Sequence, residues 1–148
     1  MPIFGRSRPV NEDMVGQLEN AYGRTGKSKS RDKIRKDGDL LRLAEGNIWD
    51  GETIELAADC DFQSGSLEWH YDSRMLVTSH RLLLGDYKRV LQVDYRSIMS
   101  VSSDRKLGYG DQVTVMTTGP NIYISKLPGG AAGLIANHLQ RHSFQASR

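Results

Sequence analysis

The stretch Ala21-Tyr-Gly-Arg-Thr-Gly-Lys-Ser28 fits the loose form of a phosphate-binding loop, in which backbone N–H groups and a lysine cradle phosphates. That chemistry needs a buried strand before the loop and a helix after it, so that amides and helix dipole converge on the anion. Here a polar helical stretch precedes the loop and a basic, apolar-poor run follows, so no nucleotide site is expected. His138 and His142 stand four apart, a spacing that can bring two imidazoles to one metal on a helix. The residues between them, Leu139-Gln-Arg, lack the glutamate of a zinc hydrolase, and no third ligand lies nearby. His138 therefore reads as the border of a buried stripe and His142 as a fraying end, with no metal. Cys60 falls on the apolar series of a strand and reads as a small buried hydrophobe rather than a nucleophile. Asp59 and Asp61 share one strand face and read as solvated carboxylates. No serine sits in the glycine pattern of a nucleophile elbow. No catalytic constellation is coherent, and the expectation is a protein that is not an enzyme and carries no cofactor.

The remaining chemistry is basic. Arg24, Lys27, Lys29, Arg31, Lys33, Arg35 and Lys36 face Asp32 alone within residues 24–36. Such a run attracts an anionic membrane or nucleic acid. It also suits a solvated tether, because Ile34 is its one large aliphatic residue and cannot offset the entropy of ordering the segment. With Tyr22 only at its edge, stacking on single-stranded bases has no support. Two smaller basic clusters, Lys88 with Arg89 and Arg105 with Lys106, fall at strand turns.

Composition sets the outer bounds. The chain has 148 residues, 38% hydrophobic and 26% charged, enough for one core. Its net charge of +2 is too small for a general nucleic-acid binder. One cysteine excludes an internal disulfide framework and a cysteine-based zinc site. No apolar run approaches the roughly 20 residues of a membrane-spanning helix. Met1-Pro-Ile-Phe-Gly-Arg-Ser-Arg lacks a signal-peptide apolar stretch, and Pro2 does not fit the N-myristoylation pattern. These readings point to a cytoplasmic protein.

The elements that position these residues change character along the chain. Asn11-Glu-Asp opens a short helix with an N-cap and early acids, and Met14, Val15, Leu18 and Tyr22 follow at helical spacing up to Gly23. Leu40, Leu41 and Leu43 suggest a second helix, ended by Gly46-Asn47. From Thr53 the period becomes two: Ile54, Leu56, Ala58, Cys60 and Phe62 alternate with Glu55, Ala57, Asp59 and Asp61, a half-buried strand. Leu67, Trp69 and Tyr71 alternate with Glu68, His70 and Asp72. The apolar run Met75 to Leu84 is broken by Thr78-Ser-His-Arg81 and makes two strands. Further strands are expected around Leu91–Tyr95, Ile98–Val101, Val113–Val115 and Ile122–Ile124, with turns at Gly85–Lys88, around Gly108–Asp111 and at Thr118–Asn121. After Pro128-Gly-Gly, the residues Ala131, Leu134, Ile135, His138, Leu139 and His142 form one stripe at 3.6 periodicity. About seven antiparallel strands followed by one amphipathic helix imply a sheet whose open end the helix covers. The organisation expected is a helical extension over 1–46 with the basic linker at 24–36, a sheet domain over 47–142, and a frayed tail at 143–148.

This order, with Arg74-Met-Leu-Val-Thr-Ser-His-Arg-Leu-Leu-Leu-Gly-Asp86 and Val90-Leu-Gln-Val-Asp-Tyr-Arg-Ser-Ile-Met-Ser-Val101, resembles the bacterial pleckstrin-homology-like (PH-like, GRAM-like) domains over about residues 50–142. The resemblance implies a mainly β fold: a bent antiparallel sheet, or partly open barrel, of about seven strands capped by a C-terminal helix. It also implies that Thr78 and Arg81 mark a tight turn between two core strands. Members of such a fold bind phosphoinositides or peptides, or serve as scaffolds, so fold alone names no ligand. Lipid-binding members carry bases around the first inter-strand loop. Here Asp59 to Glu68 holds three acids and no base, so no phosphoinositide is expected there. The reading is a binding or adaptor module for a protein partner, engaged at a sheet edge or the sheet–helix groove. The alternative is an anionic membrane or nucleic acid held by the segment 24–36.

Overall fold

The computed structural model describes residues 11–106 and 110–147. Residues 1–10, the turn expected around Gly108 and Arg148 lie outside the described residues. Three helices come first: α1 (Glu12–Arg24), α2 (Arg31–Lys36) and α3 (Gly38–Glu45). Each begins on a side-chain cap that the local sequence supplies. Asn11 accepts from the amides of Asp13 and Met14, Ser30 from Lys33 and Asp37 from Leu40. Seven strands follow: β1 (Ile54–Ser64), β2 (His70–Thr78), β3 (Arg81–Gly85), β4 (Val90–Asp94), β5 (Ile98–Lys106), β6 (Gly110–Thr117) and β7 (Ile122–Leu127), and then α4 (Ala131–Ala146). A single 3-10 turn, Tyr95–Ser97, joins β4 to β5. No helix among the described residues is long and apolar enough to cross a membrane.

The strands form one antiparallel sheet in the order β4-β3-β2-β1-β7-β6-β5. β1 serves both halves: Ile54 to Phe62 pair with β2, while Asp61 to Ser64 pair with β7. A register shift at Cys60/Phe62 lies where the pairing is handed over, and the sheet bends into a half-barrel. α4 closes the open side, packing on β5, β6 and the 3-10 turn. Its start is fixed by Asp111, whose carboxylate accepts the Gly130 amide at 2.8 Å, with Gly130 at φ +84°. Ile135 and Leu139 are buried with Leu56, Val93 and Val115, as the helical stripe predicts. The architecture is PH-like, and Thr78 to Arg81 makes the tight turn between β2 and β3.

The N-terminal helices are not an appendage. Met14, Val15, Leu18, Tyr22, Ile34, Leu40 and Leu43 form a second core with Ile54, Ala57, Leu76 and Leu83 from the outer face of β1–β3. The sheet is thus covered on both faces there, which is why Met75-Leu-Val77 and Leu82-Leu-Leu84 are unbroken apolar runs. This corrects several sequence expectations. Residues 24–36 are not a solvated linker: α2 lies within them and Ile34 is 0% exposed. A six-residue helix is too short to persist alone, so tertiary packing holds it. Residues 11–46 share a core with the strands of 47–142, a packing that the sequence alone leaves open. β1 is not half-buried. Ala57 lies under the helices, and a register shift between Ile54 and Leu56 sends these two side chains into different cores. The segment 67–71 is out of phase with its reading: Leu67 and Tyr71 are exposed, while His70 is buried, stacked on Phe62 at 4.6 Å. The tail expected from 143 is helical through Ala146.

Candidate functional site

The basic residues singled out by sequence lie in three places, and most of those in the first have partners. Arg24 donates to the Glu55 carbonyl at 2.7 Å. Arg31 pairs with Glu19 at 2.9 Å, and Arg35 with Glu12 at 2.6 Å and Asp32 at 3.0 Å. Lys29 is the most enclosed, its side chain 14% exposed, donating to Asp37 and Asp59 at 3.1 Å each. Lys27, Lys33 and Lys36 are exposed and have no ion pair among the described residues. The second place is the β3–β4 turn, with Lys88 and Arg89. The third is the β5 end, where the Arg105 side chain is 81% exposed and 3.6 Å from Asp111. The side chain of Lys106 is outside the description.

Lys29 belongs to a network that joins the helical layer to the sheet. Arg74 of β2 donates to Asp37 at 2.9 Å and lies 3.4 Å from Asp59, and the Tyr22 hydroxyl donates to Asp59 at 2.7 Å. Burial opposes ionisation of Asp37, but hydrogen bonds from Arg74, the Leu40 amide and Lys29 outweigh it and hold its carboxyl below the usual range. Burial, reinforced by Asp59, pushes the Tyr22 phenol up. Asp59 is therefore a structural partner as well as a partly solvated carboxylate, its side chain 45% exposed. Asp61, likewise expected to be solvated, is buried and accepts the Asp72 amide at 3.1 Å. Beside this network is a cleft of about 650 Å3, lined by Lys27, Lys29 and Lys33 from the helical layer and by Asp59, Asp61, Asp72, Arg74 and Lys126 from the sheet. Its charge is mixed. The phosphate-loop stretch forms part of this rim without phosphate-loop geometry. α1 precedes it, α2 has only six residues, and the Thr25 hydroxyl is engaged by the Ala57 carbonyl at 2.8 Å.

The two histidines of α4 do not act together. His138 lies 3.2 Å from the Leu134 carbonyl. His142, expected to fray, stacks on Tyr95 at 4.5 Å and sits 2.6 Å from Glu55. Among the described residues no group of three or more His, Cys, Asp or Glu could hold a metal ion. Cys60 is buried, and burial pushes its thiol far up, away from the reactive thiolate.

A second cleft, of about 630 Å3, is one that sequence reading missed. It is built on a buried pair. The Arg81 side chain is 6% exposed and donates to Glu52 at 2.9 Å. Burial opposes ionisation of Glu52, but bonds from Arg81, the Thr78 hydroxyl at 2.5 Å and the Trp49 amide outweigh it and keep its carboxyl below the usual range. Arg81 also donates to the Asn47 carbonyl and, at 2.6 Å, to Gln92. The Trp49 ring rests on this guanidinium at 4.0 Å, with His80 edge-on at 5.6 Å, yet Trp49 is 56% exposed. The cleft is lined by Trp49 and Arg81, by Gln92 and Asp94 of β4, and by Tyr95, His142 and Gln145. The available signal was a tryptophan in Asn47-Ile-Trp-Asp-Gly-Glu52, a polar stretch without periodicity.

The two sheet edges differ. Among the described residues β5 pairs with β6 alone, but α4 already engages carbonyls of β5: Gln140 donates to Val101 at 2.7 Å and Ser143 to Ile98 at 3.0 Å. The sheet–helix groove is therefore partly closed, and Gln140 is not a bystander. β4 pairs with β3 through all five residues in regular register and has no second strand among the described residues.

No protein-family model matches this chain, and no curated protein matches it. Solved structures do. The C-terminal domain of an unknown protein from Leishmania infantum is 15% identical, with a TM-score of 0.52 over 64% of this chain and 87% of that one. A DUF1696 family protein with a pleckstrin-homology domain from Shewanella loihica PV-4 is 16% identical, with a TM-score of 0.44 over 74% of this chain and 91% of that one. At such identities the likeness is one of fold, and with the strand order and closing helix the fold of this chain is PH-like.

Proposed function

We infer that the protein is a non-catalytic binding module whose PH-like platform recognises a protein partner. The observation that supports this is Trp49. Its loop is held by the Glu52–Arg81 pair, so the ring is presented rigidly and remains more than half exposed. Covering about 100 Å2 of apolar ring is worth about 2–3 kcal/mol, and a preorganised aromatic loses little entropy on binding. The test is panning of random-peptide phage on the immobilised protein. Enriched peptides are expected to bind at least tenfold more weakly to Trp49→Ala and equally well to Lys27→Ala/Lys33→Ala/Lys36→Ala. Circular dichroism checks that the variants are folded. No enrichment, or binding indifferent to Trp49→Ala, refutes the reading.

A second reading is the anionic surface, favoured by the exposed lysines Lys27, Lys33 and Lys36. It rests on three cations without an ion pair among the described residues rather than the seven in sequence. Sedimentation with anionic lipid vesicles tests it: binding that falls steeply with salt and is lost in the triple lysine variant supports it.

A further inference from the structure

We propose that the open edge of β4 takes an extended segment of the partner as an added strand, and that this segment carries an acidic residue at each end. The proposal rests on the partner reading above and names the partner's chemistry. Three observations converge on it. The first is the asymmetry of the edges. An edge strand exposes a row of backbone donors and acceptors, and proteins commonly blunt it with proline, lysine, a bulge or a cover. β5 is partly covered through Gln140 and Ser143. β4, Val90-Leu-Gln-Val-Asp94, contains no proline, lysine or bulge and, among the described residues, pairs only with β3.

The second is the cleft along that edge. Gln92 and Asp94 line it together with Trp49 and with His142, Gln145 and Ala146 from the end of α4. Alternate side chains of an added strand point to one face, so one of them reaches the Trp49 ring while main-chain bonds hold the strand.

The third is charge. Lys88 and Arg89 precede β4 and Arg96 follows it; all three are exposed. Of the carboxylates nearby, Asp86 is engaged by His70 at 2.8 Å and by the amides of Lys88 and Arg89. Asp94 accepts the Arg96 amide at 2.9 Å, and Glu68 acts on Lys88 only through space. Cations thus stand at both ends of a five-residue edge about 17 Å long, Lys88 and Arg89 at one and Arg96, beside the Asp94 carboxylate, at the other. An extended segment with an acid at each end and an apolar centre is the complement.

The test uses three phage libraries of seven-residue inserts, five random positions flanked by two aspartates, two asparagines or two lysines. The aspartate library is expected to enrich. Its binders should slow hydrogen exchange of amides within residues 90–94, and N-methylation of the peptide should weaken binding at alternate positions only. Arg89→Glu/Arg96→Glu should weaken binding about tenfold. Equal enrichment of the asparagine or lysine library overturns the acidic chemistry. Binders sensitive to Trp49→Ala that leave amides 90–94 unprotected overturn strand addition while the partner reading stands. Failure of all three libraries overturns both. Protection of β4 that rises with protein concentration without peptide assigns the edge to a second copy of the chain and overturns the proposal.

Discussion

Replacing Ile34 by alanine separates two descriptions of the basic segment. As part of a solvated tether, Ile34 would contribute nothing. In the structure it is fully buried, packed with the α1 and α3 side chains and the outer face of β1–β3. Truncating a buried aliphatic side chain to alanine costs about 2–5 kcal/mol, the transfer energy of the lost carbons plus the residual cavity. For a chain of this size 1 kcal/mol shifts the melting temperature by about 3–4 °C, so the expected fall is about 6–20 °C. α2 is short and can detach before the rest unfolds, so the loss is capped by its docking energy and should fall toward the lower end. The assay is thermal unfolding by circular dichroism, with Lys33→Ala, an exposed neighbour on the same helix, as control. If Ile34→Ala and Lys33→Ala melt within about 2 °C of each other, the helical layer is not a working part of the core. The description of a sheet covered on both faces then fails.

In the other core, Leu139→Ala should cost a similar 2–5 kcal/mol while exposed Asn137→Ala changes little; urea titration should place Gln140→Ala between them, because it frees the Val101 carbonyl. Asp37→Asn should reduce stability near pH 7, and the deficit should shrink as pH falls below the usual carboxylate range. The folded carboxyl titrates below its unfolded value, so its contribution is present above that value and lost as pH falls through the folded one; urea midpoints across pH check the sign. Cys60 should react with a disulfide reagent at least a hundredfold more slowly in the native protein than in denaturant, since it is buried and its thiol stays protonated.

The phase of an element is a local property, and outside the segment 67–71 the sequence carried it. Asn11 before Glu12-Asp13 marks the start of α1. Alternation along Leu91-Gln-Val93 and Ile122-Tyr-Ile124 marks strands, and the stripe through Ile135 and Leu139 marks a helix with one buried face. From those signals the strand count and the closing helix follow, because residues two apart on a strand or three and four apart on a helix share a face whatever the rest of the chain does. Thr78 to Arg81 was legible as a turn for the same reason. Which faces are covered is not local. Ala57, Leu76 and Leu83 lie under helices from the start of the chain, and only the docked layer turns Ile34 from an isolated apolar residue into core.

Charge roles are less local still. Lys29 meets Asp59, Arg74 meets Asp37 and Glu52 meets Arg81 across separations of 30, 37 and 29 residues. A run of seven cations looks like an anion-binding arm until the fold brings carboxylates to three of them, Lys29, Arg31 and Arg35, and a backbone carbonyl to Arg24. Trp49 looks like one more aromatic until the Glu52–Arg81 pair fixes it at the lip of a cleft. Spacing along the chain decides which side chains share a face. Only tertiary structure decides what meets that face, and whether a charge or a ring is left for a partner depends on the contacts made there.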